Sequence, residues 1–208
     1  MTVLLSTAYL APVEYYRMLA NAGEVIIETA DNYVKQTYRN RCVIASANGL
    51  QTLSIPVVKP DSPKCLTKDI RIADHGAWRH LHWNAIVSAY NSSPFFEYYA
   101  DDFRPFYEKK IEFLFDFNEQ LRELVCSLLD LVPQLTYSTE YIRTLHREDV
   151  WDLRENIHPK KPPVSQDFPP YYQVFEQKWG FQANVSIVDL LFNMGTEAIF
   201  GLSFGNFY

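Results

Sequence analysis

TVLLSTAYLAPVEYYRMLANAGEVIIET, residues 2–29, opens on an apolar run of strand length, TVLLSTA (2–8), and closes on another, EVIIET (24–29). Between them, PVEYYRMLANAG is bracketed as a helix by Pro12 at its start and Gly23 past its end. A helix of about ten residues between two buried strands is the spacing of a parallel pair joined by a crossover. That pattern indicates an α/β protein, with α+β as the alternative class.

Outward from this unit, RCVIASANGLQTLSIPVV (41–58) reads as two strands about an Asn48-Gly49 hairpin turn. KPDSPK (59–64) is a loop and DIRIA (69–73) a further short strand. Asp74 can cap a helix over 75–90, and FFEYYADDF (95–103) forms another. Pro105 to Leu131 is amphipathic throughout, as one long helix or as two with a break at Asp116–Asn118. QLTYST (134–139) and VFEQKWG (174–180) are candidate strands, Ser186 caps the helix IVDLLFNMG (187–195), and EAIFGL (197–202) closes the fold. The proline-rich segment 156–172 cannot be regular structure and is a loop. Strands and helices do not alternate strictly, so the expected architecture is a mixed β-sheet with flanking helices in a single domain over 1–208.

Composition narrows the function. The 208 residues carry a formal net charge of -6, which argues against nucleic acid as the main partner. Aromatics make up 15% of the chain, so a core rich in Tyr, Phe and Trp is expected. Cys42, Cys65 and Cys126 are odd in number, widely spaced and form no CxxC pair, the pattern of a reduced cytoplasmic protein. The N-terminus has no basic region before its apolar run, and no segment has the length of a transmembrane span.

Cations concentrate in NYVKQTYRNRC (32–42), which holds Lys35, Arg39 and Arg41 within seven residues. Crowded cations repel unless anions or water intervene. Either the site is a solvated approach to the hairpin, with Arg41 neutralised by Glu28 or Asp31, or Arg39, Asn40 and Arg41 form a fork for a carboxylate or phosphate. Strand alternation would put Arg39 and Arg41 on one face. Ser6 and Thr7, at the end of the first strand, and the N-terminus of the following helix fall at the same edge, where ligands of α/β sheets gather.

Other chemistry is sparse. His75, His80, His82, His146 and His158 show no metal-binding spacing, and neither a phosphate loop nor a nucleophile elbow occurs, so no cofactor or metal is expected. Cys42 opens an apolar strand, as a packed core thiol does. His82, one helical turn from Trp78, is the histidine suited to general-base work, against a bland alternative as a buried hydrogen-bonding residue. Glu14 is a second candidate base, and Tyr9, Trp78 and Tyr90 are candidate pocket walls.

Several segments in order, AYLAPVEYYRML, DNYVKQTYRNRCVI, LSIPV, WRHLHWNAIVSAYNSSPFFEYY and SIVDLLFNMG, resemble the WbqC-like protein family, closest to a shorter branch found in Bacteroidetes. The resemblance implies a place in O-antigen or surface-polysaccharide biosynthesis and an aminoacyl or acyl (glycine) transferase acting on amino sugars. In that role His82 or Glu14 would be the base, and Lys35, Arg39, Asn40 and Arg41 would bind an anionic or sugar-linked ligand between Tyr9, Trp78 and Tyr90. Thr7-Ala8 and Glu14 depart from the family pattern, as does TLHREDVWDLRENIHPKKPPVSQDFPP (144–170). Those departures, with the absent nucleophile, favour the alternative: a non-catalytic binding or assembly protein of the same pathway, with a protein partner.

Overall fold

The computed structural model describes residues 1–60, 62, 64–143, 149–165 and 167–203; His146 lies outside them. The opening unit forms as its periodicity requires: β1 (Thr2–Ser6), α1 (Val13–Asn21) and β2 (Glu24–Glu28). The strands pair in parallel from Thr2↔Glu24 to Ser6↔Glu28. Val3, Leu4 and Leu5 are all buried, so β1 is covered on both faces. Pro12 is the N-cap of α1 at φ -64 and ψ 161. This is the extended conformation a proline adopts before a helix.

The hairpin consists of β3 (Arg41–Ser46) and β4 (Gly49–Ser54). Its pairing closes at Ser46↔Gly49, which moves the turn to Ala47-Asn48, one residue earlier than expected. Gly49 supplies the positive φ, 96°, that returns the chain into β4. The helices α2 (Trp78–Tyr90), α3 (Phe96–Glu108) and α4 (Leu114–Leu128) follow. Asp74 does not cap α2, which starts three residues later than expected; its carboxylate binds Arg79 at 2.5 Å and Lys110 at 2.8 Å. The break in the long amphipathic region falls at 109–113, not at 116–118, and α3 runs through Pro105. The predicted strand at 69–73 is instead a 3-10 turn, Thr67–Asp69, followed by residues making only isolated bridges.

Beyond α4 come β5 (Leu135–Tyr137), β6 (Val150–Asp152), α5 (Glu176–Trp179), α6 (Ile187–Met194) and α7 (Ala198–Leu202). The predicted strand at 174–180 is therefore a single helical turn, and β6 was not foreseen. Strand order in the main sheet is β5-β2-β1-β6, with every pairing parallel. The antiparallel hairpin is a separate two-stranded sheet. Both orientations expected of a mixed α/β protein are present, but segregated. The chain leaves β1 toward β2 and later returns to β6 on the other side of β1. The chain thus changes side at β1, the kind of point beside which open parallel sheets form ligand crevices.

Aromatic rings dominate the core. Phe192 of α6 meets Tyr90, Phe96 and Phe103 edge-on, with centroids at 5.4, 5.2 and 5.3 Å. Gly195 ends α6 at φ 59, and a Cβ there would lie 2.7 Å from the Phe95 ring. Gly195→Ala is expected to destabilise the fold by about 1–3 kcal/mol, because strain and overlap act together. A fall in the urea midpoint at unchanged slope would show it.

Candidate functional site

The carboxyl edge of the parallel sheet is charged and buried. Glu28, the last residue of β2, is 0% exposed and collects four donors. Its Oε1 accepts from Ser138 Oγ at 2.6 Å and the Ala30 amide at 2.9 Å; its Oε2 accepts from Arg154 at 2.9 Å and the Ile142 amide at 3.0 Å. Arg154 also grips Asp152 at the end of β6, at 2.5 and 2.9 Å, and lies 4.7 Å from the Tyr141 ring centroid. Bidentate geometry of this kind holds a guanidinium fixed.

Arg39 completes the edge. It is 3% exposed and donates to Asp31 Oδ2 at 2.6 and 3.1 Å, to Ser6 Oγ at 2.7 Å and to Glu155 Oε1 at 3.0 Å. Arg39 and Arg154 are thus each locked onto two carboxylates. A cavity of ≈ 580 Å³ lies beside them, bounded by Asp31, Arg39, Tyr141, Asp152, Arg154 and Glu155 among others. Glu155, with a side chain 55% exposed, is the most accessible carboxylate of these ion pairs.

The basic stretch does not act as one unit. Arg39 sits in the turns before β3, so strand alternation does not apply to it. It points into the sheet edge, whereas Arg41 begins β3, is half-buried and lines no part of the cavity. Asn40 ties the hairpin together, donating to the Ile55 carbonyl at 3.0 Å and accepting the Ile55 amide on its own carbonyl at 2.8 Å. Lys35 lines a neighbouring cavity of ≈ 450 Å³ with Tyr33, Lys59 and Cys65, and Val34 borders both spaces.

Tyr9, Trp78 and His82 do meet, but in the core. Tyr9 Oη lies 3.0 Å from His82 Nδ1 and 2.9 Å from Tyr107 Oη, and the Trp78 ring is 5.1 Å from the imidazole. The His82 ring also hydrogen-bonds the Ser54 backbone, and burial lowers its pKa from 6.5 to about 4. None of these residues borders the sheet-edge cavity. Tyr90 donates to the buried Asp189 at 3.0 Å, in a network that Tyr171 and Gln173 join at 2.8 Å each.

Glu14 is buried and holds the proline-rich segment, accepting from the Val164 amide and from Asn184 Nδ2 at 2.8 Å each. Burial raises its pKa. The first amides of α1, which could have bound an anion, are taken by Val185 O at 3.0 Å and Asn184 Oδ1 at 2.9 Å. Cys42 is 0% exposed, and burial raises its thiol pKa, as fits a packed core cysteine.

Sequence reasoning missed Asp152, Arg154 and Glu155 as site residues, and named Asp31 only as a possible neutraliser. WDLRE (151–155) did carry a signal: an acid and an arginine two residues apart share one face of an extended chain. Its significance depends on β6 lying beside β1.

Two measurements follow from this geometry. Arg39→Ala leaves Asp31 charged and buried without a cation, so a loss of about 3–5 kcal/mol is expected in urea denaturation. His82 should shape the acid limb of stability. Its folded pKa is depressed, so the unfolded chain binds the proton first; its contribution is complete above pH 6.5 and is lost as pH falls toward 4. Asp189 opposes it: burial raises its pKa from 3.8 to about 6, so its penalty is present above pH 6 and fades as pH falls toward 3.8. His82→Gln should abolish the acid loss between pH 6.5 and 4, leaving the opposite Asp189 trend visible in the urea midpoint.

No helix among the described residues is long and apolar enough to cross a membrane. No solved structure matches the chain. The uncharacterized protein Rv1507c of Mycobacterium tuberculosis is 29% identical over 209 residues, spanning 88% of this chain and 89% of that protein. The family model of the WbqC-like proteins matches residues 7–161, from the end of β1 to beyond Arg154 and Glu155. The protein belongs to the WbqC-like protein family.

Proposed function

We propose that this chain is a cytoplasmic acyl or aminoacyl (glycine) transferase acting on amino sugars in O-antigen or other surface-polysaccharide biosynthesis, with the sheet-edge cavity as its active centre. The observation that carries the reading is the pairing of a buried guanidinium with an accessible carboxylate at the cavity wall: Arg39 holds Glu155 at 3.0 Å. A carboxylate in that position can accept a proton from a bound amine. Glu155 takes the N–H proton, the nitrogen bonds to the acyl carbon, and the donor's leaving group departs with the electrons of the bond that breaks. Arg39 touches no reacting atom in this scheme and is a positioning residue. Holding acceptor and donor in register lowers the barrier without a covalent nucleophile. His82 and Glu14, whose hydrogen bonds are spent inside the core and on the proline-rich segment, serve the framework.

A second reading, a binding or assembly protein without turnover, draws on the same ion pairs, since both guanidiniums are satisfied without any ligand. The two are separated by incubating the purified chain with acetyl or glycyl thioesters and an amino sugar, and weighing the N-acylated product by mass spectrometry. Turnover is expected, and Glu155→Gln should lower it by about 100-fold or more at a melting temperature within a few degrees of wild type. Sugar binding with no product from any donor would decide for the binding protein.

A further inference from the structure

A second cavity shares a wall with the sheet-edge one. The segment after β2 is tied to the chain around Leu66 by the Asn32↔Leu66 bridge, with the Tyr33 amide donating to Cys65 O and the Thr67 amide to Asp31 O at 2.9 Å each. Neighbouring side chains of an extended chain turn to opposite sides. Asn32 and Leu66 accordingly line the sheet-edge cavity, whereas Tyr33, Lys35 and Cys65 line the second space of ≈ 450 Å³, which Lys59 and Ser62 also border. Val34 faces both.

The charge of this second space is one-sided. Neither Lys35 nor Lys59 makes a hydrogen bond or ion pair among the described residues, and no carboxylate among those residues lines the space. An adjoining hollow of ≈ 330 Å³, which shares Lys59, carries Asp69 and Arg71, and Arg71 is already paired with Glu112. Cations held in a concavity without counter-charges raise the local concentration of anions.

A second observation comes from Tyr33 and Arg41. Burial pushes the Tyr33 pKa up to about 12, against the opposing pull of the Arg39 and Arg41 charges, so its hydroxyl stays a donor at neutral pH. Arg41 is half-buried; its Nε is enclosed without a hydrogen-bond partner and its guanidinium makes no ion pair among the described residues. Arg39, by contrast, is spent on Asp31 and Glu155. The uncompensated charge of the basic stretch therefore resides on Lys35, which lines this cavity, and on Arg41, which acts on Tyr33 in its wall. Ammonium groups bind phosphate as compact point charges, and a multiply charged anion satisfies two of them at once.

We propose that this second cavity binds a phosphate-bearing ligand, its anion held by Lys35 and Lys59 with the Tyr33 hydroxyl as a further donor. As the seat of an acyl donor's phosphate group the site rests on the transferase reading; anion binding itself needs no turnover.

The test is calorimetric titration of the full chain with inorganic pyrophosphate and, separately, with succinate, at about pH 7.5 and matched ionic strength. Pyrophosphate is expected to bind at least about tenfold tighter than succinate. Lys35→Gln and Lys59→Gln should each weaken pyrophosphate about fivefold or more. Lys109→Gln, an equal change of charge on an exposed residue outside the cavity, should shift it less than about twofold. Lys35 and Lys59 are exposed, so their variants should melt as the wild type does. Failure of pyrophosphate to bind, succinate binding as tightly, undiminished affinity in either cavity variant, or equal losses in all three variants would overturn the proposal. Acyl transfer by a chain that binds no pyrophosphate would sink this inference and leave the transferase reading standing; pyrophosphate held at the two lysines with no product from any donor would do the reverse.

Discussion

Burying a guanidinium is unfavourable unless carboxylates go with it, and this fold buries two of them where its parallel strands end. Arg39 and Arg154 are 3% and 8% exposed, and each bridges carboxylates from distant parts of the chain. Arg39 joins the end of β1, through Ser6, to the segment after β2 and to Glu155 after β6. Arg154 joins β6 to the end of β2. Any rearrangement that separated β1, β2 and β6 at this edge would strand a charge in a poorly hydrated interior. The same pairs hold open the space beside them, because their polar surfaces cannot be closed over by apolar packing without loss of hydration.

A comparable principle orders the proline-rich segment, which contributes little regular structure. Three buried charged residues outside it bind backbone and side chains of this segment and of Gln173 just after it. Glu14 accepts the Val164 amide, Arg17 donates to the Asp167 carbonyl and lies 4.6 Å from the Phe168 ring centroid, and Asp189 receives Tyr171 and Gln173. Segments rich in proline cannot satisfy their own carbonyls and amides, so partners must come from elsewhere in the fold. The free amides at the start of α1 are taken separately, by the Val185 carbonyl and the Asn184 side chain, which removes that helix terminus from the chemistry of the edge.

Site and framework divide along these lines. Cations that look like a clamp in sequence are spread over three environments: Arg39 in a neutralised pair, Lys35 at a second cavity and Arg41 at the base of the hairpin.

Local pattern determined the strand–helix–strand opening, the hairpin, the helical middle and the irregular proline-rich segment, because periodicity, turn chemistry and proline act over a few residues. It also placed Trp78 and His82 on one helical face, and brought Ser6 to the carboxyl edge of the sheet. Short pieces were misjudged where that range is too small: 69–73 lacks a continuous partner strand, and the three residues of β6 become a strand only against β1. Which carboxylate meets which arginine was beyond sequence, since Arg39 and Glu155 are 116 positions apart and Glu28 and Arg154 are 126. Tertiary structure alone decided this, because electrostatic pairing depends on distance in space, and only the strand order brings those side chains to one edge.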